Sequence, residues 1–225
     1  ERGRQKGSYE PPDFSDAGNA EVFARIYKDE LIYIDALGWL FWNGKFWERN
    51  EHCAFLKMQD LSKLMLDEAI DSCRKMGEDG KAKKYLVHAL KTRDEPRIRR
   101  AINLARGKMH HKILDLDANP FLLNTPAGIV NLKTGKIKPH DPNEYISKIT
   151  AASPGSEDLD IWLDFLKVVT CGDESIIDFL QQVIGMSVIG KVYHEGIIIA
   201  YGNGRNGKST FFNAISRVLG DYAGS

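Results

Sequence analysis

The sequence predicts an α/β chain: a mixed α+β domain of hairpins and amphipathic helices, followed by helices that lead into the first strand, turn and helix of a parallel core. Three observations predict it. An Asn43-Gly44 dipeptide sits between two aromatic-rich runs, the pattern of a β-hairpin. Apolar residues recur at helical spacing through several later segments. Near the end, the apolar run 197–201 passes straight into a glycine-rich turn and a further helical pattern.

Residues 1–18 are rich in charge, glycine and proline and too poor in apolar groups to build an element, so they read as a flexible linker. From Ala20 a helix carries Val22, Phe23 and Ile26, and a short extended segment covers residues 31–34. The hairpin then joins residues 39–42 to 45–48, and a two-residue turn sets Phe41 opposite Phe46 and Leu40 opposite Trp47. Aromatic groups therefore lie on both faces. Either neighbouring helices cover them, as in most cores, or they form a platform on which single-stranded bases stack.

Residues 59–76 place Leu61, Leu64, Met65, Ala69, Cys73 and Met76 on one helical face, and residues 81–91 form a second helix. Asp94-Glu95-Pro96 opens a third, with an acidic first turn and an early proline. Its apolar face is Ile98, Ala101, Ile102, Ala105 and Met109, and Arg97, Arg100, Arg106 and Lys108 lie largely outside it. Those four cations read either as a basic rail for a nucleic-acid backbone or as a solvated helix face.

Asn119-Pro120 and Thr125-Pro126 punctuate a loop, after which residues 128–132 and 136–137 form a hairpin around Lys133-Thr134-Gly135. Pro139, Pro142 and Pro154 mark a long connection. A helix over 157–170 carries Leu159, Trp162, Phe165, Leu166 and Val169 on one face, and Asp173 caps another over 174–189.

The run 197–201 has the β-branched character of a strand buried on both faces of a parallel sheet. Gly202, Gly207, Lys208 and Ser209 then occupy the fixed positions of the G-x-x-x-x-G-K-[S/T] phosphate loop. The spacing has a chemical reason. A polyphosphate is wrapped by main-chain N–H groups, so the stretch Gly202, Asn203, Gly204, Arg205, Asn206, Gly207 needs glycine where a side chain would block approach or φ must be positive. The helix that follows turns its unpaired N–H groups and positive dipole end toward the phosphates. Lys208 adds a point charge for the β- and γ-phosphates of ATP, the Ser209 hydroxyl is sized to ligate Mg2+, and Thr210 caps the helix or contacts the α-phosphate side. Phe212, Ile215 and Leu219 form the apolar face of this helix.

With 31 Lys and Arg against 31 Asp and Glu, the net charge names no partner. Its distribution is more informative: residues 81–112 hold eleven Lys or Arg against Asp94 and Glu95. Cys53, Cys73 and Cys171 are scattered without a C-x-x-C pair, which fits free thiols in a reducing cytosol, and His110-His111 is not spaced for a metal. No apolar run is long enough to span a bilayer and no signal peptide is visible, so no membrane role is expected.

The segments 119–150, 172–190 and 201–223, with the hairpin at 38–49, resemble the phage and plasmid primase-helicase family, whose relatives include the poxviral primase-helicase. The resemblance runs from about residue 20 onward. It implies a linker (1–18), a mixed α+β domain like that family's N-terminal region (19–155), a helical linker or collar (156–190) and the start of a superfamily-three AAA+ helicase core (191–225). It also implies a primase domain upstream, a homo-oligomeric ring, usually hexameric, that translocates on single-stranded or forked DNA with ATP and Mg2+, and the cytoplasm of a bacterial host. Carried over by position, Gly202, Gly204, Asn206, Gly207, Lys208 and Ser209, with Thr210, form the nucleotide site, and Lys208 is its catalytic cation.

The family's acidic Walker B strand, sensor and arginine finger follow the phosphate-loop helix, whereas this sequence stops at Ser225. The chain by itself is therefore expected to be a helicase module without turnover. The competing expectation is a DNA-binding or oligomerisation collar whose phosphate loop is inert.

Overall fold

A computed structural model describes residues 7–76, 80–155, 157, 159–192, 195–202 and 204–224. The chain divides into two compact units, residues 1–43 with 47–115 and residues 44–46 with 116–225. The fold is mixed α+β, with two small antiparallel three-stranded sheets among its helices.

In the first unit, α1 (Asp16–Tyr27) starts at Ser15, whose side chain accepts from the Gly18 N–H at 3.1 Å. Strands β1 (Leu31–Ile34), β2 (Gly38–Trp42) and β3 (Trp47–Arg49) form a meander in that order. Helices α2 (Cys53–Met76), α3 (Gly80–Thr92) and α4 (Glu95–Ala105) follow. Their apolar faces meet α1 in one core containing Phe23, Leu31, Met58, Leu61, Met65, Tyr85, Ile98 and Ala101. The face expected for α4 is the buried one, from Ile98 through Met109.

Three expectations need correction here. The hairpin register is Leu40 with Arg49, Phe41 with Glu48 and Trp42 with Trp47, so the turn spans residues 43–46 instead of Asn43-Gly44 alone. Gly44 does take positive φ (97°), but the wider loop leaves Lys45 and Phe46 outside the ladder. The two-faced aromatic strand is covered and not a stacking platform: Trp39, Leu40 and Trp47 are buried, and Phe41 and Trp42 are half-buried. The stretch read as a linker is tied down from Gly7: Ser8 Oγ and the Tyr9 N–H both donate to Glu68, and Tyr9 and Phe14 pack against the core. A few aromatic anchors outweigh the polar composition that suggested disorder.

In the second unit, β4 (Leu122–Thr125), β5 (Gly128–Asn131) and β6 (Ile137–Lys138) make the second meander. The Lys133-Thr134-Gly135 turn is as expected: Gly135, at φ 69°, donates its N–H to Asn131 O at 2.8 Å. Residues 122–125 are a strand where the sequence suggested loop, because Thr125 pairs directly with Gly128 and Pro126 falls in the connecting turn. Helices α5 (Leu159–Val169), α6 (Glu174–Ser187) and α7 (Lys208–Leu219) complete the unit. Asp173 caps α6: its carboxylate accepts from the Ser175 hydroxyl (2.6 Å) and the Ser175 and Ile176 N–H groups, and the hydroxyl bond first among these holds its pKa below the usual value.

The expected parallel strand is not formed. Residues 197–201 make no ladder, and Ile197 and Tyr201 are each 90% exposed. An apolar strand of this kind is stable only when neighbours satisfy its backbone on both edges and cover both faces. The described strands of this unit are instead consumed by the antiparallel meander.

Candidate functional site: a glycine-rich turn at a helix entrance

The turn before α7 is built from left-handed residues: Gly204 (φ 86°), Arg205 (52°) and Gly207 (82°). Such a run points successive main-chain N–H groups toward one side, which makes a concavity suited to an anion. Gly207 is the residue that enters α7, and the Phe211 N–H returns to Gly207 O at 2.9 Å. The N–H groups ahead of Phe211 have no carbonyl one helical turn back, so the positive end of the α7 dipole meets the turn.

Lys208 folds back over this turn, donating to Asn206 Oδ1 at 2.7 Å and Gly202 O at 3.3 Å. Both partners are neutral oxygens, so neither compensates the ammonium charge. The Ser209 and Thr210 side chains stand on the exposed side of the first turn of α7. Six of the expected nucleotide-site residues, Gly202, Gly204, Arg205, Asn206, Gly207 and Lys208, thus form one compact turn, with Ser209 and Thr210 beside it. Asn203 lies outside the described residues.

What holds the turn in place came from outside the motif. Phe211, 6% exposed, stacks on Trp162 with centroids 5.8 Å apart, and Trp162 stacks in turn on Phe165 at 5.4 Å. A Cβ at Gly207 would overlap Val169 Cγ1 and come within 3.3 Å of Phe165 Cε2. Helix α5 is therefore the bed of the turn. The expected helix face is rotated: Phe211, with Ile215 and Leu219 half-buried, faces inward, and Phe212 is 49% exposed. Periodicity alone fits either Phe; the Trp162–Phe165 pair to which α7 docks selects Phe211. No local sequence pattern marks a contact between residues so far apart along the chain.

The residues proposed as a basic rail do not act together. Arg100 Nε pairs with Asp16 at 2.6 Å and Lys108 with Glu21 at 3.2 Å, so two of the cations are held by acids of α1. Arg106 lies over the Tyr33 ring, 5.0 Å from its centroid. Arg97 alone of the four joins a cationic group, with Lys83, Lys84 and Lys91 of α3. Sequence reasoning counted these lysines in the basic stretch 81–112 without assigning them a site, although α3 carries four lysines and no acid.

Fold and site together define a mixed α+β protein with an anion-type turn at a helix entrance. The chain belongs to the D5 N terminal like family, whose model matches residues 20–171. That match covers the first meander through the end of α5, and it agrees with the resemblance of the N-terminal region to a primase- or helicase-type protein. The glycine-rich turn lies beyond the matched residues. No curated protein matches the sequence. Among the described residues, no helix is long and apolar enough to cross a membrane.

Proposed function

We infer that the chain is part of an ATP-driven DNA helicase or primase-helicase of phage, prophage or plasmid replication. The turn before α7 is its nucleotide site. Membership of the family supports the replication setting. The observation that carries the nucleotide site is Lys208 folded across a turn of positive-φ residues at the mouth of a twelve-residue helix.

The residues present fit a triphosphate with Mg2+. The N–H groups of the turn and of the first turn of α7 would hold phosphate oxygens, Lys208 would exchange Asn206 and Gly202 for them, and the Ser209 hydroxyl would face the cation. MgATP held there would supply the free energy of hydrolysis for movement along single-stranded DNA in the ring of the full-length protein. This chain's own residues bind and orient the phosphates, and α5 keeps the turn in register.

The second reading, a DNA-binding or assembly collar with an inert turn, rests on the exposed residues 197–201, which lack the sheet a motor needs. DNA-stimulated ATP hydrolysis by the full-length protein separates the two. Loss of turnover in Lys208→Ala supports the nucleotide site; unchanged oligomerisation and DNA binding, without any turnover in the parent, supports the collar.

A further inference from the structure

We propose that the cleft between α3 and the segment before α1 is a docking site for single-stranded nucleic acid, with Lys84, Lys91 and Arg97 gripping the backbone and Phe14 and Val87 receiving a base. The proposal deepens the DNA-linked reading above and rests on it. The cleft encloses about 410 Å3 and is lined by these five residues together with Lys83 and the buried face of His88. That is enough for a nucleotide-sized group, since pockets for small ligands begin near ~300 Å3.

Charge and shape point the same way. Lys84, Lys91 and Val87 lie one and two turns apart on a single face of α3, and Arg97 enters from the start of α4. Three nearby acids are paired with other cations: Asp16 with Arg100 at 2.6 Å, Glu10 with Lys81 at 3.0 Å and Glu95 with Arg99 at 2.7 Å. A concave surface with cations on its rim raises the local concentration of a polyanion. At its centre Val87 is 51% exposed, an apolar side chain amid lysines. Phe14 beside it stacks on Tyr85 (5.9 Å between centroids) and meets His88 in a tilted contact (5.3 Å). Apolar area framed by cations suits a strand whose bases are unstacked, and a duplex keeps its bases inside.

The test is fluorescence anisotropy of a labelled oligo-dT of about 20 nucleotides with the full chain, read across a salt series. Lys84→Gln/Lys91→Gln is compared with wild type and with Arg99→Gln, a cation of α4 that does not line the cleft. The proposal expects at least a tenfold loss of affinity in the double variant and a salt slope shallower by about 1.4, the value for two lost single-strand phosphate contacts. Arg99→Gln should stay near wild type, and Val87→Asp, which adds no bulk to the core, should weaken binding as well. Equal binding by the double variant overturns the cleft and leaves the DNA-linked reading intact. Absence of any oligonucleotide binding by wild type overturns both the cleft and the DNA contact of this chain, and leaves the ATP site to its own assay. Binding of thymidine monophosphate as tight as that of the oligonucleotide also overturns the proposal, since a backbone grip requires several phosphates.

Discussion

The ring of Phe211 lies over that of Trp162, 5.8 Å between centroids and 17° from parallel, and this stack fixes where α7 begins. Because Gly207 and Lys208 are the residues at that beginning, the position of the phosphate-binding turn depends on α5. Replacing Phe211 with Ala should cost about 3 kcal/mol, the usual loss for a buried phenylalanine, and raise hydrogen exchange of α7 amides above that of α4. Trp162→Ala should cost less, since its ring is only half-buried, yet loosen the same helix.

Gly207 and Gly204 share positive φ but not surroundings. A Cβ at Gly207 meets Val169 and Phe165, whereas at Gly204 it meets nothing within 4 Å. Gly204→Ala should therefore cost only the backbone strain of a left-handed alanine, about 1 kcal/mol. Gly207→Ala should cost more and displace α7. Thermal unfolding of the two variants side by side checks the order, and equal effects would contradict the packing account.

Beneath the basic cleft, Asn19, His88 and Thr92 form a buried polar group: His88 Nε2 is 2.8 Å from Asn19 Oδ1, and Asn19 Nδ2 donates to Thr92 Oγ1 at 3.1 Å. Burial, then the Arg97 charge, lower the His88 pKa against the weaker pull of Asp16, Asp13 and the Phe14 main-chain carbonyl. A depressed folded pKa means that the unfolded chain takes up a proton first as pH falls below 6.5. Stability should therefore be fully present above that pH and be lost toward the lower folded value. Urea midpoints should fall between about pH 7.5 and pH 5, and less steeply in His88→Gln.

Asn124, fully buried, bridges three segments of the second unit. Its side chain donates to Lys45 O (3.1 Å) and Lys148 O (2.9 Å), and its N–H donates to the Tyr222 hydroxyl at 3.2 Å. Asn124→Leu removes the amide that donates to both carbonyls and should cost about 2 kcal/mol, read as a lower denaturation midpoint. Tyr222→Phe removes the acceptor of the Asn124 N–H and a 3.4 Å donor to Lys148 O, and should cost about 1 kcal/mol.

The sequence made the helices legible wherever one face is apolar and local: Ile98 to Met109 and Leu61, Met65 and Ala69 are buried as the spacing implied, with Leu64 half-buried. Caps at Asp173 and the Gly135 turn were equally local. What failed were features decided at long range. The hairpin turn widened because Trp42 pairs with Trp47, residues 7–15 were anchored by Glu68, and the run 197–201 found no strand to join. Within the candidate site, the glycines and Lys208 were readable from the motif, but the Trp162, Phe165 and Val169 bed was not. The rail dissolved because Asp16 and Glu21, many residues away, claim Arg100 and Lys108.

Titration calorimetry of MgATP into the full chain, with Lys208→Ala alongside, tests the central claim most directly. The account predicts saturable binding by wild type and at least a tenfold loss in the variant, because Lys208 is the cation already poised over the turn. Equal binding by both proteins, or by neither, would contradict it and leave the chain as a collar with an inert turn.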